Sequence, residues 1–224
     1  KDSGQVGFPI LDTKDLREVP PEKSISTLNF ATGSSSHITK ASSKFIFGEM
    51  IAIQPSTMLQ AILSHIPQDR NVVFLGHGIV NDLHILRALV FKFELPPSGK
   101  LDTSCIANEV LRLWGGSLGG LLGALGCPFS RLHVAGNDAN FSLRAPLLLA
   151  EKWCISQNED DELLDILHDI STFPHLDPEI EAGKKREKRP LKSWKHQTKS
   201  WSTEKQDQIR AARETRRLEA WSMF

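Results

Sequence analysis

The spacing of apolar positions changes several times along the chain, and each change marks an element. Val6–Leu11 is an apolar run broken by Pro9 and closed by Asp12-Thr13. It reads as a strand that Pro9 confines to a sheet edge or a bulge. Leu16–Lys23 is a loop with two prolines, and Ile25–Ala31 alternates loosely as a second strand. The Gly/Ser-rich Thr32–Ser43 predicts a turn, and Lys44–Phe47 a short third strand. Met58, Leu59, Ile62, Leu63 and Ile66 have helical spacing and predict a helix over Ser56–Ile66. The continuous apolar run Asn71–Leu75 ends at Gly76, and a helical pattern follows over Asp82–Phe93. Strand, tight turn and helix in that order are the signature of a buried strand in an α/β sheet. Leu101–Ala107 reads as a further strand or a helix start, and the Gly-rich Ser117–Leu125 as a helix. Asn137–Trp153 carries Phe141, Leu143, Leu147 and Leu148 as a helix that Pro146 should kink.

Beyond Trp153 the pattern thins. Gln157–Glu162 is acidic and polar, Leu163–Ile170 is a short amphipathic helix, and Phe173–Pro190 is a linker rich in Pro, Gly and charge. Lys205–Trp221 is helix-competent by propensity but has few apolar residues to bury. The expected organisation is an α/β domain over residues 1–156, an acidic helix and linker over 157–190, and a basic, partly disordered tail over 191–224.

Composition adds limits. Of 224 residues, 40% are hydrophobic and 24% charged, which is ordinary for a globular chain and excludes a collagen-like or wholly disordered one. No stretch approaches the roughly 20 apolar residues of a membrane span, so no membrane partner is expected. The chain opens on Lys1 without an apolar leader, and the expectation is a fragment whose N-terminus lies upstream. Cys105, Cys127 and Cys154 stand far apart with no C-x-x-C pair, which disfavours a zinc knuckle and fits a reducing compartment, cytoplasmic or nuclear.

The net charge of zero conceals a split. Residues 184–224 hold 13 Lys and Arg against 5 Asp and Glu, a net of +8, while residues 1–183 carry a net of −8. A basic tail on an acidic body makes the tail the part that meets a polyanion. Within it Lys184, Lys185, Arg186, Lys188, Arg189, Lys192 and Lys195 surround Trp194 and Trp201. Basic side chains attract phosphates and indoles stack on bases, so these residues are the candidate nucleic-acid contacts. Lys184–Lys192 serves equally as a nuclear-import signal, and a solvated tail without a partner is the bland alternative.

Three segments carry the candidate chemistry: Gly76-His77-Gly78-Ile79-Val80-Asn81-Asp82-Leu83, Leu101-Asp102-Thr103, and His133-Val134-Ala135-Gly136-Asn137-Asp138-Ala139. Singly, each has a local explanation. Asn81 or Asp82, Asp102-Thr103 and Asn137-Asp138 can all cap helices or turns, and His77, His84 and His133 can be satisfied histidines without a role. Together they resemble the DEDDh 3′–5′ exonucleases. A buried strand followed by Gly-His-x-x-x-x-Asp resembles the second motif of that superfamily, and His133 five residues before Asp138 resembles its third. With Leu11-Asp12-Thr13-Lys14-Asp15-Leu16, the set looks like the fungal Gfd-type branch, linked by name to DEAD-box helicases and mRNA export. The likeness covers residues 6–155.

The resemblance implies a ribonuclease H-like α/β fold, a mixed sheet with helices on both faces. It implies hydrolysis of single-stranded RNA or DNA, RNA favoured, and a helicase-linked or mRNA-export protein as partner. Two Mg²⁺ or Mn²⁺ ions would clamp the oxygens of an in-line displacement, and hard cations take carboxylate ligands. Asp82 and Asp138 are the implied ligands, His133 the general base, and Asp12 a further candidate ligand.

One departure matters. The first motif of the superfamily is Asp-x-Glu, and here Asp12-Thr13-Lys14 puts Lys where Glu belongs. Either the Glu is lost and a cation occupies the metal site, or Val6–Asp12 is the second strand and Asp-x-Glu lies upstream of Lys1. The likeness of Leu-Asp-Thr-Lys-Asp-Leu to its branch favours the second. On either reading this polypeptide alone is an inefficient enzyme. The rival class is a non-catalytic nucleic-acid-binding or adaptor protein on an inactivated scaffold. Gly115–Gly126 lacks the Lys-Ser/Thr of a P-loop, and no Gly-x-Ser-x-Gly elbow is present.

Overall fold

The computed structural model describes residues 3–67, 69–89, 99–111, 116–157 and 162–173. The candidate nucleic-acid contacts from Lys184 to Trp201 lie outside them.

The elements run β1 (Gly4–Leu11), α1 (Pro21–Ser24), β2 (Ile25–Thr32), α2 (Ser35–Ser42), β3 (Met50–Ala52), α3 (Pro55–Leu63), β4 (Phe74–Gly76), α4 (Ile79–Leu89), β5 (Lys100–Asp102), α5 (Thr103–Leu111), α6 (Leu118–Leu125), α7 (Ala135–Ser156) and α8 (Glu162–Thr172). β1 and β2 form an antiparallel hairpin in register from Gly4 opposite Thr32 to Leu11 opposite Ile25. β3 adds in parallel to β2, giving the order β1-β2-β3. β4 and β5 form a separate parallel pair. β1 is thus an edge strand among the described residues, where a proline is tolerated because one row of backbone groups has no ladder to join.

Helices cover both faces of the three-stranded sheet. On one face Val6, Phe8, Leu28 and Phe30 meet Met58 and Ile62 of α3. On the other, alternate positions of the same strands face α7. Thr27 Oγ1 accepts from the Asn140 amide at 2.8 Å. Gly7 lies so near the start of α7 that a Cβ there would run into the backbone of Ala135 and Gly136. A second apolar cluster joins α5, α6 and α7 through Ala107, Leu121, Leu122, Phe141, Ala145 and Leu149. This mixed architecture is the expected ribonuclease H-like α/β fold.

Several expectations are corrected. The segment read as a turn holds α2, because Ser34 caps it by accepting from the His37 N–H at 3.3 Å. Lys44–Phe47 is not a strand. Its polar backbone is taken by the Asn137 side chain, whose Oδ1 accepts from Ile46 N at 3.1 Å and whose Nδ2 donates to Lys44 O at 2.9 Å. The third strand is instead Met50–Ala52. α4 begins three residues before Asp82, and Leu101–Ala107 divides into the end of β5 and the start of α5. α6 forms despite its glycines: Ser117 Oγ caps its start, and Gly126 ends it in the left-handed region at φ 74°. No described helix is long and apolar enough to cross a membrane.

Candidate active site

A cavity of about 1530 Å³ is lined by residues of β1 and β4, strands of two different sheets. Its walls are mostly apolar. Asp12, His77, Asp82, His133 and Asp138 all line it. The fold therefore gathers in one cleft four residues that lie as far apart as 12 and 138 in sequence and were singled out there: Asp12, Asp82, His133 and Asp138.

Asp82 stands in the first turn of α4. The residue is exposed on one side, yet surrounding protein desolvates its carboxylate and raises its pKa above the usual 3.8, and the nearby Asp102 carboxylate pushes the same way. Asp138 stands in the first turn of α7 and is half-buried. Burial raises its pKa too, partly offset by a hydrogen bond from the His133 backbone and by the charge of that histidine. The bond is 2.9 Å, from His133 N–H to Asp138 Oδ1. His133 sits at φ 72°, and Arg131 two residues earlier at φ 49°. Such values are uncommon for residues with a Cβ, and this loop is held in them by its side chains. Asn137 Nδ2 reaches Arg131 O at 2.8 Å, and the Arg131 guanidinium donates to Ser43 O at 2.7 Å. The His133 ring is left exposed at the rim.

The turn between β4 and α4 is built around Asp102. Its Oδ1 accepts from Gly78 N at 2.9 Å, Ser104 N at 2.9 Å and Ser104 Oγ at 2.7 Å. Gly78 turns at φ 74°, a conformation glycine adopts without cost. One carboxylate thereby caps α5 and fixes the loop that delivers Asp82. Sequence reasoning gave Asp102 only a capping role and did not assign Asn137 its task. Asn137 is fully buried and ties two loops together, while the N-cap of α7 is Val134. Bonds spanning some 90 residues have no local signature.

Asp12 is differently placed. Arg70 grips it through two hydrogen bonds, 2.6 and 2.8 Å, and Lys14 N donates to it at 2.9 Å. These donors hold its carboxyl at about 2, well below the usual 3.8. Arg70, not a metal, balances this carboxylate, and a ligand role would require that pair to break.

Asp82 and Asp138 offer hard oxygen ligands of the kind Mg²⁺ and Mn²⁺ take, desolvated and without an ion-pair partner among the described residues. Their chemistry fits a divalent cation. The set is short, since no group of three or more His, Cys, Asp or Glu stands at ligating distance among the described residues.

The domain is a mixed α/β fold with two acidic side chains, Asp82 and Asp138, on one cavity. The chain belongs to the family described as DNA polymerase III subunit epsilon-like, C-terminal domain, whose family model matches residues 25–149, more than half of its length. That places it in the DEDDh exonuclease superfamily. The matched segment contains Asp82, His133 and Asp138 and excludes Asp12. No curated protein matches the sequence.

Proposed function

We propose that this chain is the part of a 3′–5′ exonuclease that supplies Asp82, His133 and Asp138 for hydrolysis of single-stranded nucleic acid, RNA in preference to DNA. The observation that carries the reading is that these three residues, from two distant segments, line one cavity, with both carboxylates desolvated and neither in a salt bridge with Lys or Arg among the described residues. Asp82 and Asp138 would hold the divalent metal, which neutralises charge on the departing 3′ oxygen. The exposed His133 ring takes the proton from attacking water, and Asp138 keeps the His133 main chain in place. Asp102 holds the loop that presents Asp82.

The ligand set is completed, on this reading, by an Asp-x-Glu strand laid between β1 and β4 and contributed by polypeptide preceding Lys1. Two features support it. Each of these strands has an unpaired edge among the described residues, and both line the same mostly apolar cavity. The basic segment Lys184–Lys192 with Trp194, Lys195 and Trp201 is proposed to bind the strand of RNA, on grounds of charge and stacking. A Gfd-type, helicase-linked role in mRNA export is the corresponding biological setting.

The test compares this chain with a version extended upstream, on 3′-labelled single-stranded RNA with Mn²⁺ or Mg²⁺. The extended protein should release nucleotides from the 3′ end, and Asp138→Ala or His133→Ala should abolish release. Release that survives either substitution would sink the assignment. Salt-sensitive RNA binding with no release from the extended protein would leave an inactivated scaffold.

A further inference from the structure

His77 follows β4 and lies half-buried on the wall of the cavity. Its Nδ1 is 2.8 Å from Oγ1 of Thr103. Thr103 is completely buried, and its hydroxyl donates its proton to the Gly76 carbonyl 3.3 Å away. A hydroxyl has one proton to give and two lone pairs to receive with. With that proton directed to the Gly76 carbonyl rather than to the nearer Nδ1, Oγ1 accepts from His77 and the imidazole proton is assigned to Nδ1. In the uncharged ring, Nε2 then carries a bare lone pair. Nε2 of His37 is buried without a partner; Nε2 of His77 is not sealed off in that way, and no hydrogen bond engages it among the described residues. It is open to the cleft.

We infer that Thr103 fixes His77 as a hydrogen-bond acceptor and that Nε2 receives a sugar hydroxyl at the 3′ end of the bound strand. The inference rests on the proposed exonuclease reading and adds a recognition residue to it. The chemistry of the acceptor selects the ligand. Phosphate oxygens are themselves acceptors, so a nitrogen without its proton gives them nothing to bind. Sugar hydroxyls are donors, and in DNA only the terminal nucleotide has a free one. In DNA an acceptor in the cleft therefore favours an end over the interior of a strand, whereas in RNA every ribose also offers a 2′-hydroxyl. Thr103 is the positioning residue, since it reaches the ligand only through His77.

Two measurements on the full chain test this. Long-range ¹H–¹⁵N spectra read which nitrogen of the ring holds the proton. Nδ1 protonation is expected in the native protein, with loss of that preference in Thr103→Val and its retention in Thr103→Ser. A native ring protonated on Nε2 overturns the inference whatever the enzyme does. The second measurement is binding of short oligonucleotides ending in ribose, in 2′-deoxyribose or in 2′,3′-dideoxyribose. The dideoxy end should bind roughly three- to tenfold more weakly than the ribose end, the effect of one hydrogen bond, and the 2′-deoxy end shows which hydroxyl is held. That ratio should fall to one in His77→Ala and Thr103→Val and persist in Thr103→Ser. Equal affinities for all three ends in the native protein overturn the ligand assignment. Failure of every oligonucleotide to bind overturns the exonuclease reading itself, and the tautomer then decides the role of Thr103 separately.

Discussion

The carboxylate of Asp138 holds the main chain of His133, with Oδ1 accepting the His133 N–H at 2.9 Å across a loop in which His133 is left-handed at φ 72°. The five-residue spacing of the motif thus has a backbone purpose: the acid at the start of α7 closes the loop that carries the histidine. Burial raises the pKa of Asp138 above 3.8. A raised acid binds its proton more tightly in the folded state, so stability falls as pH climbs from the ordinary value through the raised one, and the penalty is complete above it. Asp138→Asn keeps an acceptor and removes the charge. Its melting temperature should exceed that of the native chain at neutral pH, with the advantage vanishing in acid. Parallel stability curves from about pH 3 to about pH 7 would refute this account. Asp138→Ala, which also loses the bond to His133, should be less stable than Asp138→Asn throughout.

Divalent cation should reverse the order. A metal that binds the folded state alone stabilises it by mass action. Mn²⁺ titrated into the native chain should raise its melting temperature, and should do so much less in Asp82→Asn or Asp138→Asn. An equal response in all three proteins would show that the metal binds elsewhere.

The sequence singled out residues that line one cavity but not the contacts that support them. Asp82, His133 and Asp138 stand in motifs whose spacing survives in a linear string. β1, β2 and α3 follow from alternation and helical period, which are local. α2 was missed because Ser and Thr are poor helix formers in isolation, and the cap at Ser34 decides the matter. Lys44–Phe47 was misread because four residues of strand-like composition cannot reveal that a buried Asn137 takes their backbone groups. The pairing of Arg70 with Asp12, which changes what Asp12 is available to do, spans 58 positions and leaves no trace in either neighbourhood.

The Asp12–Arg70 pair gives a prediction of opposite sign. Asp12 is held at about 2 against an ordinary 3.8, chiefly by its hydrogen bonds from Arg70. A depressed acid stabilises the fold above its unfolded value and loses that contribution as pH falls toward the folded one. The Asp12 carboxyl, followed by NMR, should titrate near 2 in the native chain and move toward 3.8 in Arg70→Met. The stability difference between the two proteins should be constant above about pH 5 and should fade below the ordinary carboxylate range. If Asp12 titrates normally in the native protein, the carboxylate is not occupied by Arg70 and returns to the pool of metal ligands.

Gly7 couples the sheet to the site. A Cβ at this position would collide with the backbone of Ala135 and Gly136, the first turn of the helix that carries Asp138. Backbone cannot yield as a flexible side chain does, so Gly7→Ala should cost about 1–3 kcal/mol, the range for overpacking. It should also displace the start of α7, visible as shifted amide resonances at His133 and Asp138. Gly123→Ala has open space around its Cβ and serves as the control, expected to be neutral or stabilising within its helix.

Arg144 bears on how α8 is held to the rest of the domain. Its side chain is buried, and burial draws its pKa below the ordinary guanidinium value. Nε donates to Asn140 Oδ1 at 2.8 Å, and one terminal nitrogen donates to Phe173 O at 2.8 Å and Ser171 O at 3.3 Å. The guanidinium also lies over the rings of Phe47 at 5.2 Å and Phe141 at 5.8 Å. No carboxylate pairs with it among the described residues. Its charge is met instead by carbonyls at the negative end of α8 and by ring faces. Cys127, whose Sγ is 3.4 Å from the same Ser171 carbonyl, is pushed up to about 11 by burial and stays a neutral thiol. Arg144→Met fills the volume but leaves the Phe173 carbonyl without this donor and the Ser171 carbonyl with only the weak Cys127 thiol. It should cost about 1–3 kcal/mol, the range for one acceptor left unsatisfied. Arg144→Lys keeps the charge but loses the planar fork and the ring stacking, so it should fall between Met and the native residue. Amide exchange should accelerate across α8 in both variants while β1 and β2 keep their protection. Uniform acceleration over the whole chain would instead make Arg144 a support of the global core.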